Sequence, residues 1–114
     1  MAVKKRTYSR YTREACVLLG KEITLGRKER KWTERELASR AGISRATLQK
    51  IEKGDLSVAS GLVFEVAALV GVKPFEEEGS PLTLAGHIAH ADNRLASMPS
   101  SVRKRRKKRI DDEF

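Results

Sequence analysis

The sequence predicts a small all-α protein, and three observations carry that reading. Apolar residues recur at helical spacing in several separate stretches. Aromatic residues make up only 5% of the chain, whereas a β-sandwich needs many aromatic and β-branched positions. Glycines stand where short helices have to stop. With 114 residues there is room for one compact core of about 70–80 residues with arms, and too little for two. That size argues against a large enzyme fold.

The elements follow in order. Residues 1–11 read as a basic arm. From Thr12 to Arg30 the pattern is helical, with Ala15, Leu18, Leu19, Ile23 and Trp32 near one face and Lys21, Glu22, Lys28 and Glu29 on the other. Gly20 and Gly26 interrupt it at about 1 kcal/mol each against alanine, so packing has to rescue this helix and either fraying or a kink is expected near Gly26. Thr33 stands three residues before Glu36, the spacing of a reciprocal capping box, so a second helix starts there. It is short, because Gly42 supplies the left-handed conformation that ends a helix without a Cβ clash. Ser44 caps a third helix from Arg45 to about Lys53, closed by Gly54. Ser57 is expected to cap a fourth, in which Leu62, Val63, Val66, Ala67 and Val70 form an almost wholly apolar core helix stopped by Gly71 and Pro74.

Past Pro74 the composition changes. Phe75 to Pro81 is an acidic loop in which Glu76, Glu77 and Glu78 read as solvated. Leu84, Ile88, Ala91 and Leu95 then suggest a modest fifth helix ending before Pro99, able to dock on the core or on a second copy of the chain. From Ser100 onward there is almost nothing to bury before Ile110 and Phe114, so the tail is expected to be disordered in isolation. The expected organisation is therefore an arm at 1–11, a domain at 12–73, a loop and short helix at 74–99, and a tail at 100–114.

Charge is distributed unevenly. Lys and Arg number 24 against 15 Asp and Glu, a net +9. Residues 14–102 carry equal numbers of each sign, so the whole excess lies in the ends, +5 in residues 1–13 and +4 in residues 103–114. A polyanionic partner would be met first by the arms rather than by a uniformly basic surface. The single cysteine, Cys16, excludes an intramolecular disulfide and a multi-cysteine zinc site, and makes a reducing, cytoplasmic setting the default. The N-terminus lacks the apolar run of a signal peptide, and no stretch approaches the ~18 apolar residues of a membrane span.

The most informative segment is Glu34 to Glu52, where two short helices meet across a tight turn. Leu37, Ala41, Ile43, Leu48 and Ile51 are expected to bury on one side, Ala38 is small enough to let the helices approach closely, and Gly42 makes the turn. This is the helix-turn-helix arrangement, whose second helix lies in the DNA major groove. The pattern Leu37-Ala38-x-x-Ala41-Gly42-Ile43-Ser44-x-x-Thr47-Leu48-x-x-Ile51-Glu52-x-Gly54 resembles the Cro/CI-type (XRE) helix-turn-helix family over roughly Leu19 to Val72.

The resemblance implies a compact five-helix Cro/CI-type DNA-binding domain with flexible basic termini, acting as a homodimeric repressor on double-stranded DNA with inverted-repeat operators. It also implies a contact set. Arg45, Ala46, Gln49 and Lys50 would face base edges, with Arg or Lys donating to guanine, Gln pairing with adenine and the Ala methyl meeting thymine. Phosphates would be met by Arg27, Lys28, Lys31, Arg35, Ser44 and Lys53, with Thr47 serving either a phosphate or packing. One departure stands out. Many relatives carry Gln at the start of the second helix, where it bonds a phosphate and braces the recognition helix, whereas this chain has Glu34. A carboxylate cannot donate to phosphate, so Glu34 is expected either to favour its own helix N-terminus or to brace Arg45.

The ends point to a narrower group. A Cro/CI domain followed by a Pro-containing linker, a basic run and an acidic-aromatic end is similar to HipB-like antitoxins, which are encoded beside HipA-type kinase toxins. That resemblance implies a type II toxin–antitoxin module in which one chain represses its own operon and holds the kinase inactive. A stand-alone phage-like or host repressor is the alternative. Arg103, Lys104, Arg105, Arg106, Lys107, Lys108 and Arg109 would then serve phosphate or an acidic partner, and Phe114 could anchor a short recognition peptide.

Other chemistry finds little support. His87 and His90 with Asp92 nearby are too few ligands for a closed metal site, Cys16 reads as a core residue, and no cofactor is implied. No phosphate-binding glycine loop, positioned nucleophile or acid pair can be named, so a non-enzymatic protein is expected.

Overall fold

The computed structural model describes residues 6–77 and 79–100, which carry five α-helices and no strand. They are α1 (Arg10–Glu29), α2 (Glu34–Ala41), α3 (Arg45–Glu52), α4 (Ser60–Leu69) and α5 (Leu84–Ala96). The chain divides into two units, Met1–Pro74 with the first four helices and Phe75–Phe114 with the fifth. Of the expected arm at 1–11, residues 1–5 lie outside the described residues, while Arg10 and Tyr11 already belong to α1, which starts two residues earlier than Thr12; of the expected tail at 100–114, residues 101–114 lie outside them.

Hydroxyl side chains start four of the helices by accepting an otherwise orphaned N–H. Ser9 accepts from Thr12 N, Ser44 from Thr47 N and Thr83 from Gly86 N. Thr33 completes the full capping box: Glu36 N donates to Thr33 Oγ1 at 3.0 Å while Thr33 N donates to Glu36 Oε1 at 2.7 Å. The fourth start differs from expectation. Ser57 does not cap α4: it stands two residues before the N-cap position, Ala59, and its N–H and its hydroxyl both donate to Asp55 Oδ1, at 2.7 and 2.5 Å. That local turn uses the side chain two residues back, and α4 begins later, after Ala59, without a side-chain cap.

The four helices of the first unit end in the same way. A residue with positive φ follows each one: Lys31, Gly42, Gly54 and Gly71. The next N–H then donates back to the carbonyl five residues earlier, from Trp32 to Arg27, Ile43 to Ala38, Asp55 to Lys50 and Val72 to Ala67. Three of these stops were readable as glycines. The first is a lysine, held at φ 59°.

The core is built from Ile23 of α1, Leu37 and Ala38 of α2, Leu48 and Ile51 of α3, and Val66, Ala67 and the following Val70 of α4. Ile23, Leu37, Leu48 and Val66 are fully buried, each worth roughly 1.5–3 kcal/mol by area transfer. The expected inner face of α1 needs correcting. Ala15 and Leu18 are exposed, and the inward positions are Leu19, Gly20, Ile23, Gly26 and Arg27. Nor do the two glycines interrupt or fray the helix, which runs unbroken through both to Glu29. They are where other elements press closest. A Cβ on Gly20 would lie 2.6 Å from the Glu52 carbonyl oxygen, and one on Gly26 would lie 2.7 Å from that of Val70. Leu62 of α4 is likewise exposed rather than in the core, and Trp32 sits half-buried beyond the end of α1, its ring 4.2 Å from the Arg40 guanidinium.

In the second unit α5 has no buried residue. Leu84, Ile88 and Leu95 are all exposed. No helix among the described residues is long and apolar enough to cross a membrane.

Candidate nucleic-acid interface

Burial of Leu48 and Ile51 fixes the rotation of α3. Positions three and four residues apart share a helix face, so turning that pair inward turns Arg45, Ala46, Gln49 and Lys50 outward together. Arg45, Ala46 and Lys50 are exposed and Gln49 is half-buried. The sharp turn at Gly42, with φ 72°, brings the start of α3 next to the start of α2. Lys28, Thr33, Glu34, Arg35 and Arg45 thereby line one shallow polar groove, with Arg27 also on its wall. Of the remaining residues assigned to phosphate, Lys31, Ser44 and Lys53 are exposed and Thr47 is half-buried. The Ser44 hydroxyl is already engaged, accepting from Thr47 N and donating to Thr47 Oγ1 at 3.0 Å. Ser44 and Thr47 therefore work first as the cap that starts α3.

Arg27, which the family pattern places among the phosphate contacts, is turned inward and paired within the protein. Its side chain is 9% exposed. Nε donates to Glu52 Oε2 at 2.8 Å, Nη2 to Glu52 Oε1 at 3.0 Å and Nη1 to the Trp32 carbonyl at 3.1 Å. This bidentate pair joins α1 to the end of α3 and also holds the chain as it leaves α1. The bond to Glu52 keeps the guanidinium charged more firmly than usual, outweighing the opposing effect of burial. Sequence reasoning quoted Glu52 in the motif without giving it a role. The available signal was Ile23: four residues on along the same helix face lies Arg27, and a cation placed inward needs an acid to meet it.

Glu34 takes the second of its two expected roles. Its Oε1 accepts from Arg45 Nε and from Gln49 Nε2, both at 3.0 Å. One carboxylate oxygen thus holds two outward residues one turn apart on α3. The hydrogen bond from Gln49, then that from Arg45, lowers the Glu34 pKa below its ordinary value. The sign follows directly. The lowered group stays ionised across the neutral range, and its interactions are lost only in acid, as pH falls through its depressed value.

Cys16 is half-buried on α1, and among the described residues no three His, Cys, Asp or Glu come together as a metal site would require. The basic run at 103–109 and Phe114 lie outside the described residues.

No curated protein sequence matches the chain. Residues 25–76 match a family model described as Helix-turn-helix. The match begins in the last turn and a half of α1 and runs through the whole of α2, α3 and α4. Over residues 25–76, the stretch that holds the end of α1 and all of α2, α3 and α4, the chain is therefore similar to the helix-turn-helix family.

Proposed function

We propose that the protein is a sequence-specific repressor that binds an inverted-repeat operator as a homodimer in the cytoplasm. Each α3 would enter the major groove of one half-site, with half-site centres about 34 Å apart. The observation that carries this reading is the outward face of α3, where Arg45, Ala46, Gln49 and Lys50 stand together on a helix fixed from behind by Leu48 and Ile51. Those side chains can donate to guanine, pair with adenine and meet a thymine methyl. Lys28, Lys31, Arg35 and Lys53 would take phosphates around them.

A second copy is supported by α5. Leu84, Ile88, Ala91 and Leu95 of α5 alternate at four- and three-residue spacing, the seam of a two-helix contact. A 13-residue helix is marginal in water without a partner. The narrower reading, an antitoxin that also neutralises a HipA-type kinase, rests on the make-up of the tail.

The test is selection of bound duplexes from a random library by the full chain. An enriched inverted repeat is the expected result, and Arg45→Ala should relax one base position at a cost of roughly 1–3 kcal/mol. Equal binding of all duplexes by the wild type would overturn the reading. Recovery of a kinase from native lysate by the full chain, and its loss with a 1–99 truncation, would establish the antitoxin form.

A further inference from the structure

We propose that Glu34 sets specificity, by coupling Arg45 and Gln49 into one base-reading unit and by holding Arg45 away from the phosphate backbone. The inference rests on the operator-binding reading above. It starts from the shared acceptor: Glu34 Oε1 receives both Arg45 Nε and Gln49 Nε2. With Nε taken, Arg45 keeps its two terminal nitrogens, whose paired N–H groups match the O6 and N7 acceptors of guanine. Gln49 keeps a second amide N–H and its oxygen, the pair that adenine N7 and N6 require. Arg45 and Gln49 are one turn apart, so the two readers address neighbouring base pairs from a single anchor.

The charge of Glu34 acts in the same direction. It lies in the groove formed with Lys28, Arg35 and Arg45, among side chains suited to any phosphate backbone. A carboxylate there cannot donate to phosphate, and it repels one. Non-specific duplex binding is almost wholly electrostatic, so this charge weakens every duplex alike. A cognate site recovers the loss through the base contacts that the bracing pre-orders. Glu34 should therefore lower affinity while raising discrimination.

The pair Glu34–Arg45 is largely on the surface, with side chains 29% and 61% exposed, and the Thr33–Glu36 capping box does not involve it. Substitutions at position 34 should leave the fold intact, which thermal unfolding followed by circular dichroism would check.

The experiment compares the full-length wild type, Glu34→Ala and Glu34→Gln, first by selection from a random duplex library and then by titration against the selected and scrambled duplexes. Glu34→Ala should lose base preference at two adjacent positions and lower the cognate-to-scrambled affinity ratio by roughly tenfold or more. Its affinity for scrambled duplex should rise. Glu34→Gln keeps an oxygen that can accept from both partners, so it should preserve the base pattern while binding scrambled duplex more tightly than the wild type. A Glu34→Ala variant with the wild-type base pattern and affinity ratio would overturn the inference while leaving operator binding intact. A wild type without base preference would overturn both.

Discussion

The unit of α1 to α4 and the unit of α5 use the same local grammar with opposite results. Thr33 starts α2 and Thr83 starts α5 with the same hydroxyl-to-amide bond, at 3.0 and 3.1 Å. Both helices carry apolar residues at helical spacing. Yet α2 buries Leu37 completely, while α5 leaves Ile88 and Leu95 62% and 66% exposed. Capping decides where a helix begins, and packing supplies most of what holds it. The first unit is stable by itself on this argument, and the second has an apolar face suited to another surface.

Four substitutions test that contrast. The largest expected effect is Glu52→Ala, which leaves the Arg27 guanidinium buried without its carboxylate and should cost the first unit on the order of 3 kcal/mol. An unchanged urea midpoint would mean that the pair does not tie α1 to α3. Gly20→Ala comes next. Alanine is the better helix former, but its Cβ would meet the Glu52 carbonyl at 2.6 Å, and overpacking of this kind costs about 1–3 kcal/mol. A gain in melting temperature would show that the two backbones can separate freely. Lys31→Gly should act in the opposite direction, stabilising by about 1 kcal/mol through relief of the left-handed backbone, and chemical denaturation can resolve that. Smallest of all, Ile88→Asp should shift unfolding of the first unit by less than about 0.5 kcal/mol, yet reduce self-association in analytical ultracentrifugation. A large loss of first-unit stability would remove the distinction between the two regions.

The pattern of success in reading the sequence has a physical basis. Thr33, Glu36, Gly42 and Ser44 were legible because capping and chain reversal depend on residues within a few positions of each other. The face of α1 was misassigned because glycines contribute nothing to an apolar count, although Gly20 and Gly26 mark its two closest approaches to the rest of the unit. Ser57 differs because its local turn with Asp55 delays the helix to Ser60, and residue type alone does not tell a turn serine from a capping one. Arg27 is a phosphate contact by the family pattern alone; its carboxylate partner is 25 residues away in sequence, beyond any local pattern. The set Arg45, Ala46, Gln49 and Lys50 comes from the resemblance to the Cro/CI-type family rather than from spacing, and the burial of Leu48 and Ile51 accords with its lying outward. That Glu34 reaches two of the four is a matter of distance, which spacing alone does not give.

The lysine at the end of α1 has a consequence for heat tolerance. Three of the four helix stops in the first unit use glycine and the fourth uses Lys31, so about 1 kcal/mol is withheld at a single residue. In a domain of this size that amounts to roughly 4–8 °C of melting temperature. Lys31 is also one of the cations proposed above to meet the phosphate backbone, so in that proposed complex one residue would bear on both the thermal ceiling of the domain and its grip on DNA. Asparagine there would separate the two, since it accepts the left-handed backbone but carries no charge.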